Sequence, residues 1–457
     1  MYSKMKINLK KIISLLMVIA MVFCLAACGE GGTTSSYYEE VPGENGGSNG
    51  GSSAGDATQD ITTEVPTNLK GTTVKVLFWR PLTTAEKAAI ASFEKQTNIK
   101  VQVKNAANAG GVYTELISAS LAAKEGFDIA MFNNIHFPNR PTSIMQPLND
   151  IKGFDFSDPA WDIDLMNTQK INGKYYGVNI KGGHTNEFVA MYFNETMFKN
   201  RGVKTPRQLY EAGNWNWDTF LDAAKAMTYK ENGVQRYGYV NRGTGYMTYW
   251  LQAAGTDFVT YDGTKFKSNL SDANLLNLIK YYNEFRTKYK IMGDETYGVP
   301  HFRQGEAAMF SVISYAMFKD SDTKLNQMTD TIDAVPFPMP KGQKQVALVD
   351  SALFGILKGA KNPEGAAHFL RYFLDPQNYN LSANFINKNL EKTFNELSKM
   401  EKRVSLSEGV VNFGAQVDFA NVCHNIVLTD AAQVTSKVKS YAPNFDFAVS
   451  KSNKAVK

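Results

Sequence analysis

Apolar positions along the chain change period repeatedly, and each change predicts an element. Thr73 to Trp79 (Thr-Val-Lys-Val-Leu-Phe-Trp) predicts a buried strand. Thr83-x-x-Glu86 is a capping-box signal, after which Ala89, Ile90 and Phe93 fall on one helical face. Ile99 to Val103 alternates as a second strand, Tyr113 to Lys124 reads as a helix, and Phe127 to Phe132 as a third strand. Strands separated by helices argue for a parallel sheet covered on both faces. Ligands of such sheets sit beyond the carboxyl ends of the strands. Trp79 and Arg80 follow one such end, Asn133 and Asn134 another, and these four are the first candidates for a binding site.

Further along, Ile171 to Gly177 carries a hairpin signal and Phe188 to Phe193 reads as a strand. Asn216 caps a helix from Trp217 that turns Phe220, Ala224 and Met227 inward. Ser271 is expected to cap a longer helix with Leu275, Ile279, Tyr282 and Phe285 on one face. Asp262-Gly263 is a tight-turn signal. Ile332 to Pro336 and Leu353 to Leu357 read as strands, and Asn362-Pro363 opens a helix with proline at its favoured first position. No repeat of solenoid period appears.

The first seventy residues follow a different logic. Lys4, Lys6, Lys10 and Lys11 precede an apolar run from Ile12 to Ala27, too short for a transmembrane helix but suited to an export signal. The run ends Leu25-Ala-Ala-Cys28-Gly29, which resembles the lipobox of bacterial lipoproteins; that resemblance implies cleavage before Cys28 and lipid on its sulfur and amine. Each buried CH2 of such chains contributes about 0.8 kcal/mol of membrane affinity. From Gly29 to about Lys70 the chain is rich in Gly, Ser, Thr and Glu and nearly free of aliphatic side chains, so it cannot offset its ordering entropy by burial. It reads as a disordered tether with a reach of about 35–40 Å. Within it, Gly51-Ser-Ser-Ala-Gly55 matches a serine-hydrolase string but lacks the strand–turn–helix context that string requires.

Charge and cysteine usage narrow the classes. The formal net charge is +5, and four of those charges belong to the signal segment, leaving the mature chain near +1. Nothing in that balance argues for nucleic acid as a partner. After cleavage only Cys28 and Cys423 remain, so no intramolecular disulfide is expected once Cys28 carries lipid. The five histidines are scattered without metal-ligand spacing, and Asp162 and Asp164 do not continue into a calcium loop. No cofactor or metal is expected.

The order of several strings is distinctive. Gly173-Lys-Tyr-Tyr-Gly-Val178 leads to Met191-Tyr-Phe-Asn-Glu-Thr-Met-Phe198; Asn214-Trp-Asn-Trp-Asp-Thr-Phe-Leu221 follows. Phe302-Arg-Gln-Gly-Glu-Ala-Ala-Met-Phe310 and Ala360-Lys-Asn-Pro-Glu-Gly-Ala-Ala-His-Phe-Leu370 complete the series. With them the chain from about Thr73 to its end resembles the extracellular solute-binding proteins of carbohydrate ABC importers, the family containing the maltose-binding protein. The resemblance implies an α/β fold of two lobes, the type II periplasmic-binding architecture, joined by hinge strands that close on solute. It places residues 71–185 plus 340–395 in an N-terminal lobe and 186–339 plus 396–457 in a C-terminal lobe, after a signal peptide (1–27) and a lipidated tether (28–70). Crossovers are expected near His184–Glu187 and Pro336–Pro340, with a return after Phe373.

The ligand set implied by the resemblance extends the strand-end residues. His184 and Glu187 lie at the first crossover, Tyr246 and Trp250 in a segment that resembles a supplier of stacking aromatics, and Asp350 before the Leu353 strand. Asp350 is expected to accept sugar hydroxyls or to balance Arg80. Sugar binders commonly carry Gly-Pro-Trp a few residues after the position of Met309. Here the stretch is Ser311-Val-Ile-Ser-Tyr-Ala316, so Tyr315 is the expected stacking ring and Ser314 its hydrogen-bonding neighbour. Trp215 and Trp217 read as a structural helix start. The implied function is capture of a sugar or oligosaccharide at the outer face of a bacterial membrane and delivery to the transmembrane subunits of an ABC permease, by a monomer that is not an enzyme. A secreted glycosidase needs only two suitably spaced carboxylates and stands as one alternative. A glycan sensor or adhesin is another.

Overall fold

A computed structural model describes residues 65–106, 111–123, 126–293, 298–350, 352–414 and 417–457. The export signal, Cys28 and the hydrolase-like string lie outside the described residues. Thr67–Leu69 already form a single 3-10 turn with Leu69 buried, so the folded chain includes residues just before the expected boundary at Lys70. No helix among the described residues is long and apolar enough to cross a membrane.

Among the described residues there are thirteen strands: β1 (Thr73–Phe78), β2 (Lys100–Asn105), β3 (Ile129–Asn133), β4 (Val189–Asn194), β5 (Tyr229–Glu231), β6 (Val234–Asn241), β7 (Val259–Tyr261), β8 (Phe266–Ser268), β9 (Ala307–Ile313), β10 (Ile332–Pro336), β11 (Ala347–Val349), β12 (Ala352–Ile356) and β13 (Lys402–Val404). The first lobe holds a four-stranded sheet in the order β12-β3-β1-β2. Here β1 runs parallel to β2 and β3, and β12 returns antiparallel with Ala352 opposite Asn133. Edge strand β2 exposes Lys100, Gln102 and Lys104 through its alternation; charges on an edge discourage pairing with another chain. The second lobe holds β10-β4-β9-β6-β5. That sheet is mixed rather than parallel, because only β6 and β9 run together. Strands β4, β9 and β10 are buried along their whole length, as their mainly apolar runs suggest, and the one charged residue among them, Asp333, is paired with Arg207 at 2.9 Å.

Helices cover both faces. The helix Thr84–Thr97 has its full capping box, and the helix Pro363–Phe373 is capped by Asn362 on the Gly365 amide at 3.0 Å. Phe93, Phe369 and Phe373 interlock between these helices and the first sheet, with ring centroids 5.3 Å apart for Phe93–Phe369 and 5.6 Å for Phe78–Phe373. Burying each such ring stabilises the lobe by roughly 1.5–3 kcal/mol. Two expectations shift. The cap of the helix Ala273–Thr287 is Asp272, whose carboxylate accepts from the Leu275 amide, and not Ser271. Ile171 to Gly177 forms one tight turn closed by an Ile171–Lys174 bridge, with Asn172 and Gly173 in left-handed conformation, and no strands beyond it.

The connections between lobes lie side by side. Phe188 bridges Val349 antiparallel, the Asp350 amide donates to the Glu187 carbonyl at 3.0 Å, and β11 pairs in parallel with β13. Trp215 and Trp217 pin the second connection: their indole N–H groups donate to the Pro336 and Pro338 carbonyls, each at 2.8 Å. Asn387 donates to the Ile332 carbonyl and Thr393 to that of Ala334, so the helix Lys388–Ser398 packs on β10.

Candidate functional site

Topology brings the strand ends of both lobes to the connections. Asn241 at the end of β6 is opposite Ser311, and Ile313 at the end of β9 is opposite Val189 at the start of β4. Arg242, Tyr315 and Glu187 therefore emerge from three neighbouring strands of the second lobe. From the first lobe, β3 ends at Asn133 opposite Ala352, two residues after Asp350. Trp79, Arg80, Asn133, Glu187, Arg242, Tyr246, Tyr315, Asp350 and Glu408 are each half-buried, so each keeps some contact with water.

The rings flank a guanidinium. Arg242 Cζ lies 5.3 Å from the Tyr246 ring centroid and 5.5 Å from that of Tyr315, within cation–π range of both. Trp79 packs edge-on to Tyr113 at 5.6 Å and tilts on His136 at 6.1 Å, which fixes its indole at the strand end.

Arg80 does not face Asp350 as its counter-charge. Its guanidinium forks onto Glu86, Nη1 to Oε2 at 2.8 Å and Nη2 to Oε1 at 2.7 Å. The Glu86 side chain is wholly buried, while 38% of Arg80 remains exposed. His184 Nε2 donates to Glu86 Oε1 at 3.1 Å, and the Thr83 amide donates to Oε2 at 2.8 Å. Burial alone pushes the Glu86 carboxyl up, but the hydrogen bonds from Arg80 and His184 outweigh it and hold the group well below the usual carboxylate range. Glu86 is thus both a helix cap and the anchor of two candidate residues, and the sequence shows only the first role.

Opposite effects act on the carboxylates at the connections. Burial, then repulsion from Asp350, pushes Glu187 up to about 8, against the pull of Arg242 and Arg80. Asp350 is raised by burial despite Arg242 and a hydrogen bond from Asn134. Glu408, from the helix Ser407–Gly414, is pushed up to about 7 by burial and by Asp350 and Asp418. That helix approaches the Asn134–Phe137 segment so closely that a Cβ on Gly409 would lie 2.2 Å from the Phe137 carbonyl oxygen. Arg242 and Glu408 carry no motif, and Tyr249 lies within the aromatic segment from Tyr246 to Trp250. Arg242 directly follows a strand, and the strand-end rule applied to Val234–Asn241 would have found it.

Two candidates belong elsewhere. Trp250 is only 1% exposed and sits among Phe220, Phe285 and Phe337, its indole donating to the Tyr239 hydroxyl at 3.2 Å; it is core of the second lobe. Ser314 is fully buried, accepting from the Phe188 amide at 3.0 Å and donating to the Asn186 carbonyl at 2.9 Å, so its hydroxyl is used in holding the connection. Asn134 is mostly buried and donates to the Ser405 carbonyl at 3.1 Å.

Two lobes, hydrogen-bonded connections and polar and aromatic groups gathered between them define a solute-binding protein of the MalE type of fold. The family model for bacterial extracellular solute-binding proteins matches residues 79–380, and the chain belongs to that family. Sequences named as binding proteins in Brucella abortus and Brucella suis are 29% identical over 145 residues, 30% of this chain. The chain spans about a third of those relatives' length, 31%. Among solved structures, UspC of Mycobacterium tuberculosis superposes with a TM-score of 0.61 at 15% identity, covering 84% of this chain and 100% of that one. The MalE domain of Bdellovibrio bacteriovorus bound to maltotriose gives 0.57 at 17%, covering 83% and 99%. A solute-binding protein of Thermotoga lettingae bound with α-D-tagatose gives 0.56 at 18%, covering 84% and 99%.

Proposed function

We propose that this chain captures a sugar or short oligosaccharide between its lobes and hands it to the transmembrane subunits of an ABC permease. The observation that carries the reading is the grouping of Tyr246 and Tyr315 about Arg242, with Glu187 and Asp350 in its field beside the connections between the lobes. Aromatic faces pack on the apolar faces of a sugar ring, while carboxylates and guanidinium groups bind its hydroxyls. Structures of the same fold hold maltotriose and tagatose, which supports the choice of ligand class. Closure on the solute would couple occupancy to a shape the permease distinguishes. Lipid on Cys28 and the Gly/Ser-rich tether would hold the protein, as a monomer, at the outer face of the membrane.

A thermal-shift screen of the folded region against mono- and oligosaccharides tests the ligand class, with the sugar recovered and analysed afterwards. A raised melting midpoint with intact sugar is expected. Shortened sugar would support the glycosidase alternative. A shift with peptides or organic anions and none with any sugar would end the carbohydrate reading. Labelling of the full-length protein with a palmitate analogue, abolished in Cys28→Ala, tests the anchor.

A further inference from the structure

One buried hydroxyl sits where the strands that carry Glu187 and Tyr315 part. The ladder between β4 and β9 ends with Val189 opposite Ile313, so Phe188 falls opposite Ser314 at the next position. The backbone does not continue that ladder, because Ser314–Met317 turn away as a single 3-10 turn. The Ser314 side chain takes over instead. Its wholly buried hydroxyl accepts from the Phe188 amide at 3.0 Å and donates to the Asn186 carbonyl at 2.9 Å. A serine hydroxyl has one proton to donate, and this one is committed to Asn186.

Those two bonds straddle Glu187. The Asn186 carbonyl belongs to the peptide plane before Glu187, and the Phe188 amide to the plane after it. In that second plane the Glu187 carbonyl also accepts from the Asp350 amide at 3.0 Å. Peptide planes are rigid, so holding both of them restricts φ and ψ of Glu187 and with them the direction of its Cα–Cβ bond. On the facing strand, the Tyr192 hydroxyl donates to the Ile313 carbonyl at 3.2 Å and holds the plane that leads into Ser314. Tyr315 is the next residue, and the centroid of its ring lies 5.5 Å from Arg242 Cζ. Glu187 and Tyr315 are thus each one residue away from the same clamp, on different strands.

Resting on the reading of this cleft as the solute site, we propose that Ser314 is a positioning residue for the solute: its hydroxyl sets the direction in which Glu187 leaves the crossover and the placing of Tyr315 relative to it. Without the hydroxyl, the Asn186 carbonyl and the Phe188 amide are left buried and unpaired, and the plane between Asn186 and Glu187 is released. Glu187 and Tyr315 then share their productive spacing in only a fraction of molecules. A solute that needs both binds more weakly by that fraction.

Thr97 supplies a matched control. Its buried hydroxyl also donates to a carbonyl, that of Phe93 at 2.7 Å, and accepts from an amide, that of Ile99 at 3.1 Å, but at the end of the first-lobe helix Thr84–Thr97. Amide hydrogen exchange of the full-length protein, read by NMR, would follow Asp350, whose acceptor is Glu187 rather than Ser314. That amide is expected to exchange at least tenfold faster in Ser314→Ala than in Thr97→Val. Calorimetric titration with maltotriose and with D-tagatose, the sugars held by two structures of the same fold, gives the second readout. Affinity is expected to fall at least fivefold in Ser314→Ala and to stay within twofold of the wild type in Thr97→Val. Should Ser314→Ala not fold, Ser314→Cys, with a weaker donor in place of the hydroxyl, is expected to move both readouts the same way by at least threefold. Asp350 exchanging no faster in the Ser314 variant than in Thr97→Val overturns the proposal, because the hydroxyl then does not hold Glu187. Faster exchange with unchanged affinity overturns it too, because the hold then does not serve the solute. Failure of both sugars to bind the wild type counts against the solute reading and leaves the exchange comparison to decide whether Ser314 holds Glu187.

Discussion

Glu86→Ala removes one wholly buried carboxylate and disconnects three partners: the Thr83 amide at the helix start, the Arg80 fork and His184 Nε2. Loss of a cap costs about 1 kcal/mol. The Arg80 pair, discounted because that side chain is more than a third exposed, adds about 1 kcal/mol, and the His184 hydrogen bond about 1 more. The expected loss is thus about 3 kcal/mol. At roughly 2 cal/mol/K per residue, unfolding about 390 residues makes that a fall of about 4 °C in melting midpoint. The sign with pH follows from the depressed carboxyl. Its stabilising contribution is present above the unfolded value, 4.5, and is lost as pH falls below it toward the folded value. Scanning calorimetry of the wild type and Glu86→Gln at pH 7 and pH 3 is expected to show a gap at the higher pH that shrinks at the lower. A Glu86→Ala protein within 1 °C of the wild type, or a gap that widens in acid, would refute the reasoning.

Trp250→Ala is expected to cost about 3–5 kcal/mol in denaturant titrations, the range for a large buried ring, while solute affinity per folded molecule stays within twofold. Glu187 has the reverse linkage to Glu86: stability from its neutral form is complete below 4.5 and is lost as pH rises toward about 8. Glu187→Gln without solute is therefore expected to melt a few degrees above the wild type at pH 8 and level with it at pH 4.5; an equal or lower midpoint at pH 8 contradicts this. Gly409→Ala places a methyl group 2.2 Å from the Phe137 carbonyl oxygen, so its midpoint should fall by several degrees, whereas an unchanged one would mean the helix Ser407–Gly414 yields freely.

Much of the frame was legible because buried sheets write long apolar runs. Strands β1, β3, β4, β10 and β12 fall within two residues of where hydrophobicity puts them. The caps Thr83, Asn216 and Asn362 were readable because a short polar side chain before an apolar face has one favourable use. The site was harder, since it is made by residues far apart in sequence. Position at a strand end points to Trp79, Arg80 and Asn133 as candidates; Arg242 also follows a strand, but β6 starts with exposed residues and lacks an apolar run there to mark it. Trp250 was misplaced because a tryptophan near a tyrosine looks alike in a cleft or a core; only packing separates them, and Tyr246 is the half-buried member. Glu408 comes from a C-terminal helix, and nothing in its neighbours signals that it meets Asp350.

The central claim is that a sugar occupies the space between Tyr246, Tyr315 and the connections. Calorimetric titration of the wild type and of Tyr246→Ala/Tyr315→Ala, using the sugar that raises the melting midpoint most, puts that directly to the test. Saturable one-to-one binding is predicted for the wild type, weakened at least tenfold in the variant, with the unliganded midpoint little changed. Undiminished binding in the variant, or no saturable binding of any sugar to the wild type, would contradict it.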